Sequence, residues 1–93
     1  MCPISTVEAE ARLGNLPGWK IDAGELVKTF TFRDFLASLA FVNAVGELAE
    51  KAGHHPDIDI RYNKVRLLLS THSEGGLTET DFDLAEKIDT LSE

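Results

Sequence analysis

The chain has 93 residues, which is enough for one domain over residues 1–93 with a modest core. Hydrophobic residues make up 43% of it, which argues against an intrinsically disordered protein. Its net charge of −7 argues against a nucleic-acid partner, because a phosphate backbone is bound by a basic surface. No apolar run approaches the ~20 residues of a membrane helix, and the single cysteine, Cys2, excludes an internal disulfide, so we expect a reduced cytoplasmic protein with no membrane partner.

The first predicted element is a helix over about residues 5–13. Ser5 and, three residues later, Glu8 form a capping box, in which each side chain can accept a hydrogen bond from a free backbone N–H of the first turn. Gly14 is expected to end the helix in a left-handed conformation, which glycine adopts without steric cost.

A β-hairpin is predicted after this helix. Two strand-like runs, 19–22 and 26–31, flank the dipeptide Ala23-Gly24. A two-residue connection that contains glycine is typical of a tight hairpin turn. The runs are therefore expected to pair in antiparallel fashion.

A long helix is predicted next. Thr31 with Asp34 is the second capping box and marks its start, and Gly53 is expected to end it after about Ala52. Apolar residues at spacings of three and four predict the face that is buried. These residues are Phe35, Leu36, Leu39, Val42, Val45 and Ala49.

A second hairpin is predicted from the runs 58–62 and 65–71, which flank Asn63-Lys64. In the second run, the side chains at odd positions are more apolar than those between them. Side chains of a strand point alternately to its two faces, so this period indicates a strand with one face more buried than the other.

The last predicted helix begins at the third capping box, Thr78 with Asp81. Acidic residues occupy one side of it, and its apolar residues occupy the other. The apolar residues are Leu77, Leu84, Ala85, Ile88 and Leu91.

The predicted order of elements is α-β-β-α-β-β-α. Two hairpins, each followed by a helix, predict an α+β fold with a four-stranded antiparallel sheet and the helices packed on one face. Such a sheet leaves its other face and its edges open. Leu68 and Phe30 have no obvious partner within one layer of helices, so self-association of the chain is expected.

All three histidines lie within nineteen residues. His54 and His55 stand between a helix-ending glycine and Pro56, which favours extended geometry at His55, and His72 stands at the end of the fourth strand. If the third and fourth strands are neighbours, the three imidazoles meet at one end of the sheet. Imidazole titrates near neutral pH and suits proton transfer in both directions. The structural alternative is that these are loop histidines whose ring nitrogens are hydrogen-bonded and which take no part in catalysis.

The spacing of these residues bears on two other kinds of site, a metal site and a nucleophilic one. Three histidines and Asp81 are residue types that bind zinc, but adjacent residues in extended chain point to opposite sides, so no metal is expected. Asp81 has two possible roles, either in the capping box with Thr78 or in orienting an imidazole. Nucleophilic catalysis is not indicated, because the chain has no Gly-x-Ser-x-Gly motif.

These residues, in this order, resemble the pterin-4a-carbinolamine dehydratase family. The matching pattern runs from Glu50 through three residues to His54-His55-Pro56, then five residues to Tyr62, nine residues to His72 and eight residues to Asp81. The wider stretch 50–85 is similar to the family throughout. The predicted order of helices and strands also agrees with the fold of the family.

The resemblance implies loss of water from a 4a-hydroxytetrahydropterin to give the quinonoid dihydropterin, a lyase step in tetrahydrobiopterin recycling. It implies three partners: a small-molecule pterin substrate, a functional link to an aromatic amino-acid hydroxylase, and further copies of the chain in a homodimer or homotetramer. One acid and one base suffice for this reaction, so neither a metal nor another cofactor is expected.

The resemblance also implies roles for individual residues. By their positions in the family pattern, His54 and His72 are the acid/base pair and His55 positions the substrate. Glu50, Asp81 and Pro56 bind or orient the reacting groups. Which histidine is the acid and which is the base stays open, because the two diastereomers of the substrate could exchange the roles.

The sequence departs from some relatives at two positions. Gly53 stands where they have an acidic residue, and Ile58 stands where they have an aromatic one.

Two other functions remain open as well. One is a non-catalytic interaction module, since animal relatives are dimerisation partners of a homeodomain transcription factor. The other is an enzyme of this fold that acts on another pterin, for example in molybdopterin metabolism.

Overall fold

The computed structural model describes residues 4–71 and 75–91 of the chain. Its elements follow the predicted order α-β-β-α-β-β-α, which confirms the predicted fold class. Within those ranges, no helix combines the length and the apolar character that crossing a lipid bilayer requires. The elements are α1 (Thr6–Leu13), β1 (Lys20–Asp22), β2 (Glu25–Thr31), α2 (Phe35–Ala52), β3 (Asp57–Arg61), β4 (Lys64–Leu69) and α3 (Glu79–Leu91).

The four strands form one antiparallel sheet in the order β1-β2-β4-β3. β2 and β4 pair along its centre, while β1 and β3 form its edges. Asp57, the first residue of β3, lies opposite Leu68 near the end of β4. The start of β3 and the end of β4 therefore share one end of the sheet. The prediction that the histidines meet at one end of the sheet requires this arrangement.

One face of the sheet carries the hydrophobic core. Leu26 and Phe30 of β2 lie opposite Leu69 and Val65 of β4, so these four buried side chains share that face. α2 and α3 pack against each other, and both contribute to the same cluster. The buried apolar residues of the cluster are Ala9, Leu16, Trp19, Leu26, Phe30, Phe41, Val45, Val65, Leu67, Leu69, Leu77, Phe82, Leu84, Ala85 and Ile88.

Phe30 has aromatic partners, contrary to the sequence prediction. Its ring centroid lies 4.7 Å from that of Phe41 on α2 and 6.1 Å from that of Trp19. The prediction is wrong because the predicted apolar stripe of α2 did not include Phe41, which lies on the face that packs on the sheet. Leu68 is different, since it lies on the opposite face of the sheet, beside Val27, and is partly buried.

The start of α2 lies three residues later than the sequence predicts. Asp34 is the N-cap, and its side chain accepts a hydrogen bond from the backbone N–H of Ala37 at 2.8 Å. Thr31 instead ends β2, opposite Lys64. Pairing with β4 holds Thr31 in the sheet, so the helix begins only after the chain has turned.

The buried face of α2 also differs from the predicted one. Its buried residues are Ser38, Phe41, Val45 and Ala49. Phe35 and Leu36 belonged to the predicted stripe but are exposed. The sequence of α2 is apolar around most of the helix, so spacing alone did not select the face that the sheet covers.

The two hairpin turns differ in how well they were predicted. Ala23 and Gly24 form the first turn, as predicted, and both have positive φ, at 52° and 79°. The second turn is Tyr62-Asn63, one residue earlier than predicted, because Arg61 still pairs with Lys64. Tyr62 has a φ of 52°, a left-handed conformation that a sequence reading assigns to Asn or Gly.

Both α1 and α2 end at the predicted glycine, but only Gly53 of α2 has the predicted left-handed conformation. Gly53 ends α2 in the left-handed region with a φ of 65°. Gly14 has right-handed φ and ψ of −59° and −23° instead. The backbone N–H groups of Gly14 and Leu16 bond carbonyls three residues earlier, so α1 passes into tighter turns without a left-handed residue. Leu91, expected on the apolar side of α3, is also exposed.

Adjacent leucines on β4 test which face of the sheet carries the core. Leu67 is fully buried, whereas Leu68 is partly buried on the other face. We expect Leu67→Ala to lower the free energy of unfolding by about 2–5 kcal/mol, since it opens a cavity in the core. Leu68→Ala should lower it by less than about 1.5 kcal/mol. Urea unfolding measures both, and equal losses would contradict this assignment of faces.

Candidate active site

His54 is positioned by the way in which α2 ends. The backbone N–H of Gly53 bonds the carbonyl of Glu50 at 3.2 Å, and that of His54 bonds the carbonyl of Ala49 at 3.1 Å. These two bonds with the left-handed Gly53 form a Schellman motif, which fixes the path of the chain as it leaves a helix. The side chain of His54 is 14% exposed and contacts Asp81 at the first turn of α3.

Asp81 is fully buried, at 0% exposure, and each of its carboxylate oxygens has a protein partner. Oδ1 contacts Nε2 of His54. Oδ2 accepts hydrogen bonds from the backbone N–H of Thr78 at 2.9 Å and from Oγ1 of Thr71 at 2.8 Å. A buried carboxylate requires such partners, because burial removes its hydration.

The two roles that the sequence left open for Asp81 are therefore present together. Its Oδ2 caps α3 through the N–H of Thr78, and its Oδ1 contacts His54. Of the two hydrogen bonds of the predicted capping box, the one from the backbone N–H of Thr78 to the side chain of Asp81 is present. The reciprocal bond to the hydroxyl of Thr78 is replaced by other contacts. The hydroxyl of Thr78 faces that of Thr71 at 2.9 Å, and the backbone N–H of Asp81 bonds the carbonyl of Thr78 at 3.1 Å.

The contact with Asp81 selects a tautomer of His54. A carboxylate only accepts hydrogen bonds, so Nε2 of His54 must be the donor towards Asp81. The neutral imidazole ring carries one N–H, which leaves Nδ1 unprotonated and able to take up a proton. A buried carboxylate behind a histidine orients the base of a catalytic triad in the same way.

His55 forms a second, more exposed pair. Its Nε2 contacts Oε2 of Glu50 in the last turn of α2, and its side chain is 62% exposed. Adjacent histidines thus have different partners on different elements, as the extended-chain argument predicts. Water screens this exposed pair, so it orients His55 only weakly.

Thr71 was not singled out from the sequence, although it contacts both Asp81 and Thr78. A signal for it was present. Thr71 continues the alternation of Leu67 and Leu69, so it falls on the buried face of the sheet, where a hydroxyl needs a hydrogen-bond partner.

Not every predicted site residue can be placed. His72 lies outside the described residues, so its position relative to His54 and His55 stays a prediction. Pro56 is partly buried and directly precedes β3.

Among the residues that the structure describes, no group of three or more His, Cys, Asp or Glu side chains is arranged to hold a metal ion.

A surface groove of about 560 Å³ lies beside Glu50 on α2. At Gly46, within it, an added Cβ would meet nothing within 4 Å. The groove therefore lies beside the carboxylate that contacts His55. Its lining residues are Asn43, Gly46, Glu47, Glu50 and Lys51.

A second depression, of about 550 Å³, contains none of the predicted site residues and is lined in part by Lys28 and Asp89. The Lys28 ammonium donates to Oδ1 of Asp89 at 3.0 Å and to the carbonyl of Pro17 at 2.9 Å. These bonds join β2 to α3 and to the loop between α1 and β1, so this cluster stabilises the fold.

Comparison with known proteins agrees with the resemblance read from the sequence. A sequence model described as "Pterin 4 alpha carbinolamine dehydratase" matches residues 2–91. The chain belongs to this family. The match extends over nearly the whole chain, so the family resemblance is not confined to the histidine motif.

Individual relatives are similar over almost their full length. The chain is 57% identical over 91 residues to a protein of Acidobacterium capsulatum named "Putative pterin-4-alpha-carbinolamine dehydratase", which covers 98% of this chain and 99% of the relative. A transcriptional coactivator/pterin dehydratase from Brucella melitensis, solved by crystallography, matches with a TM-score of 0.94 at 32% identity, over 98% of this chain and 99% of the other.

A second similar structure belongs to a protein with another role. It is a pterin dehydratase-like protein identified as a RuBisCO assembly factor in the alpha-carboxysome. It matches with a TM-score of 0.65 at 27% identity and covers 80% of this chain and 86% of the other. The pterin dehydratase fold therefore also occurs in a protein described by a role in assembly.

The dual contact of Asp81 predicts two effects of Asp81→Asn. The free energy of unfolding should fall by roughly 1–3 kcal/mol, because a buried hydrogen-bonded carboxylate is lost. The amide should also present a donor to His54 and shift its proton from Nε2 to Nδ1, which ¹⁵N NMR of the imidazole detects.

Asp83→Asn is the matched control, since it removes the same charge from an exposed position on α3. It should change the stability by less than about 0.5 kcal/mol and leave the His54 tautomer unchanged. Equal behaviour of the two variants would show that the contacts of Asp81 contribute nothing beyond its charge on the helix.

Proposed function

We propose that the protein is a 4a-hydroxytetrahydrobiopterin dehydratase. The substrate loses the hydroxyl group of C4a as water, and a ring nitrogen loses a proton. The electrons of that N–H bond form the double bond to C4a as the C–O bond breaks, so the products are quinonoid dihydropterin and water. The reaction is a dehydration without a change of redox state, so one acid and one base suffice.

The observation that supports this proposal best is the pairing of His54 with the buried Asp81. His54 is largely buried and is held in one tautomer by a carboxylate with no access to water. Such an arrangement stabilises the imidazolium that forms when Nδ1 accepts a proton. Membership of the pterin dehydratase family supplies the substrate class.

We assign the residue roles as follows. His54 and His72 exchange protons with the C4a hydroxyl and the ring nitrogen, as acid and base. His55, which contacts Glu50, positions the pterin. Pro56 holds the chain extended at His55. Asp81 orients His54. No metal takes part, so a chelator should leave the activity unchanged.

We further propose the physiological setting of this reaction. An aromatic amino-acid hydroxylase would supply the carbinolamine, and dehydration would return the pterin to the recycling of tetrahydrobiopterin. The cytoplasm suits a chain with one cysteine, which forms no internal disulfide.

The chain is also proposed to form a homodimer or homotetramer. The support is the exposed apolar surface that α2 turns away from the core, where Leu36 is 74% exposed and Phe35 lies beside it. Burial of such side chains between copies of the chain would remove them from water.

A non-catalytic interaction module is the second candidate. The likeness to a RuBisCO assembly factor and the exposed apolar residues of α2 favour it. An enzyme of this fold that acts on another pterin, as in molybdopterin metabolism, is a variant of the first proposal. Dehydration assays with several 4a-hydroxypterins separate these possibilities, because an interaction module accelerates none of them.

Substitution of the histidines tests the proposed roles. His54→Ala and His72→Ala should each lower turnover by about 10²–10⁴-fold, the usual contribution of a positioned acid or base. His55→Ala should mainly raise KM, and the double variant should lose less than the product of the single losses, because the two groups act as a unit. The measurement is dehydration of synthetic 4a-hydroxytetrahydropterin above its spontaneous rate.

Two controls accompany this assay. Circular dichroism confirms that each variant is folded, and the assay is repeated after exhaustive chelation. Near-full turnover in folded His54→Ala and His72→Ala proteins would contradict the catalytic assignment. Loss of activity on removal of one tightly bound zinc ion would contradict catalysis by acid and base alone.

Light scattering tests self-association. At micromolar concentration the chain should show at least twice the 10.2 kDa of a monomer. Leu36→Glu places a charge on the exposed apolar surface of α2 and should lower the observed mass. Val7→Glu is the control, since Val7 is equally exposed on α1. A wild-type mass near 10.2 kDa would reject the proposed oligomer.

A further inference from the structure

We propose that Thr71 is a positioning residue of the active site, acting on His54 through Asp81. This inference rests on the proposed dehydratase function for its effect on turnover, but not for its effect on the imidazole. Thr71 lies two residues after β4 and links this segment to the carboxylate that orients His54. No substrate contact is assigned to it.

The hydroxyls of Thr78 and Thr71 and the carboxylate of Asp81 form a chain of hydrogen bonds that all point in one direction. Oγ1 of Thr71 lies 2.8 Å from Oδ2 of Asp81 and 2.9 Å from Oγ1 of Thr78. A carboxylate only accepts, so the one proton of the Thr71 hydroxyl points to Asp81. The Thr78 hydroxyl must then donate to Thr71, which places every donor of the chain towards the carboxylate.

This direction gives Thr71 more influence than one isolated hydroxyl would have. A hydroxyl that accepts a hydrogen bond becomes a better donor, so Thr78 strengthens the bond from Thr71 to Asp81. Thr78 and Asp81 are both at 0% exposure, so bulk water does not replace a missing partner. The bond is also charge-assisted, which is the stronger class.

The backbone of Thr71 is held in place independently of its side chain. Its N–H donates to the carbonyl of Gly76 at 3.1 Å, and its carbonyl accepts from the N–H of Gly76 at 3.4 Å. A change confined to the side chain should therefore leave the end of β4 where it is. The hydroxyl can thus be tested with little disturbance of the fold.

Loss of this hydroxyl should act on the orientation of the carboxylate. Oδ2 is held from two directions, by the N–H of Thr78 and by the hydroxyl of Thr71, which leaves Oδ1 turned towards His54. With one of these donors removed, the carboxylate can rotate, and the contact that fixes the His54 tautomer loosens. The effect should fall on proton transfer rather than on substrate binding.

Thr71→Val tests the proposal, since valine keeps the shape and removes the hydroxyl. We expect kcat for dehydration to fall about tenfold, the loss of one charge-assisted hydrogen bond, with KM changed by less than about twofold. Thr71→Ser keeps the hydroxyl and should restore most of the turnover. The ¹⁵N signals of His54 should show a smaller fraction of the Nε2–H tautomer in Thr71→Val than in the wild type.

Thr29→Val is the matched control, because it makes the same change at an exposed position on β2. It should alter neither turnover nor the His54 signals. Wild-type turnover in Thr71→Val, or equal losses in Thr71→Val and Thr71→Ser, would overturn the proposal. If the wild type itself dehydrates no pterin, the proposed function fails, and the imidazole signals alone decide: unchanged signals in Thr71→Val overturn the role of Thr71.

Discussion

The buried carboxylate of Asp81 is the constraint on which the site depends. A carboxylate without access to water must be surrounded by donors, and here the donors come from the start of α3, from the end of β4 and from the loop after α2. One side chain therefore joins three separate segments at one end of the sheet. The same requirement that stabilises the fold there also holds an imidazole in one tautomer.

This joint role fixes the position of the histidine to which we assign proton transfer. His54 is positioned by the Schellman motif at Gly53 on one side and by Asp81 on the other. His55 has only an exposed partner, Glu50, so water screens that contact. The two adjacent histidines thus differ in how firmly their partners hold them, which fits the different roles that we propose for them.

Much of the fold could be predicted from the sequence because its signals are local. The cap at Ser5, the left-handed Gly53 and the turn at Ala23-Gly24 depend on nearby residues and were correct. The face of α2 that packs on the sheet could not be predicted, because α2 is apolar on several sides and only tertiary packing selects Phe41.

The candidate site divides in the same way. Spacing identified His54, His55 and Asp81, but it could not show that Asp81 serves the cap and the imidazole together, since that requires β4 to end beside α3. The hydroxyl of Thr71 was missed for the same reason, because its partner lies ten positions along the chain in another element.

A crystal structure with a bound dihydropterin, the product class of the proposed reaction, would show whether the pterin reaches the pair of His54 and Asp81. We expect the ring to lie within hydrogen-bond distance of Nδ1 of His54 while Nε2 still faces Asp81. A pterin bound elsewhere on the chain, with His54 and Asp81 still paired and untouched, would contradict it.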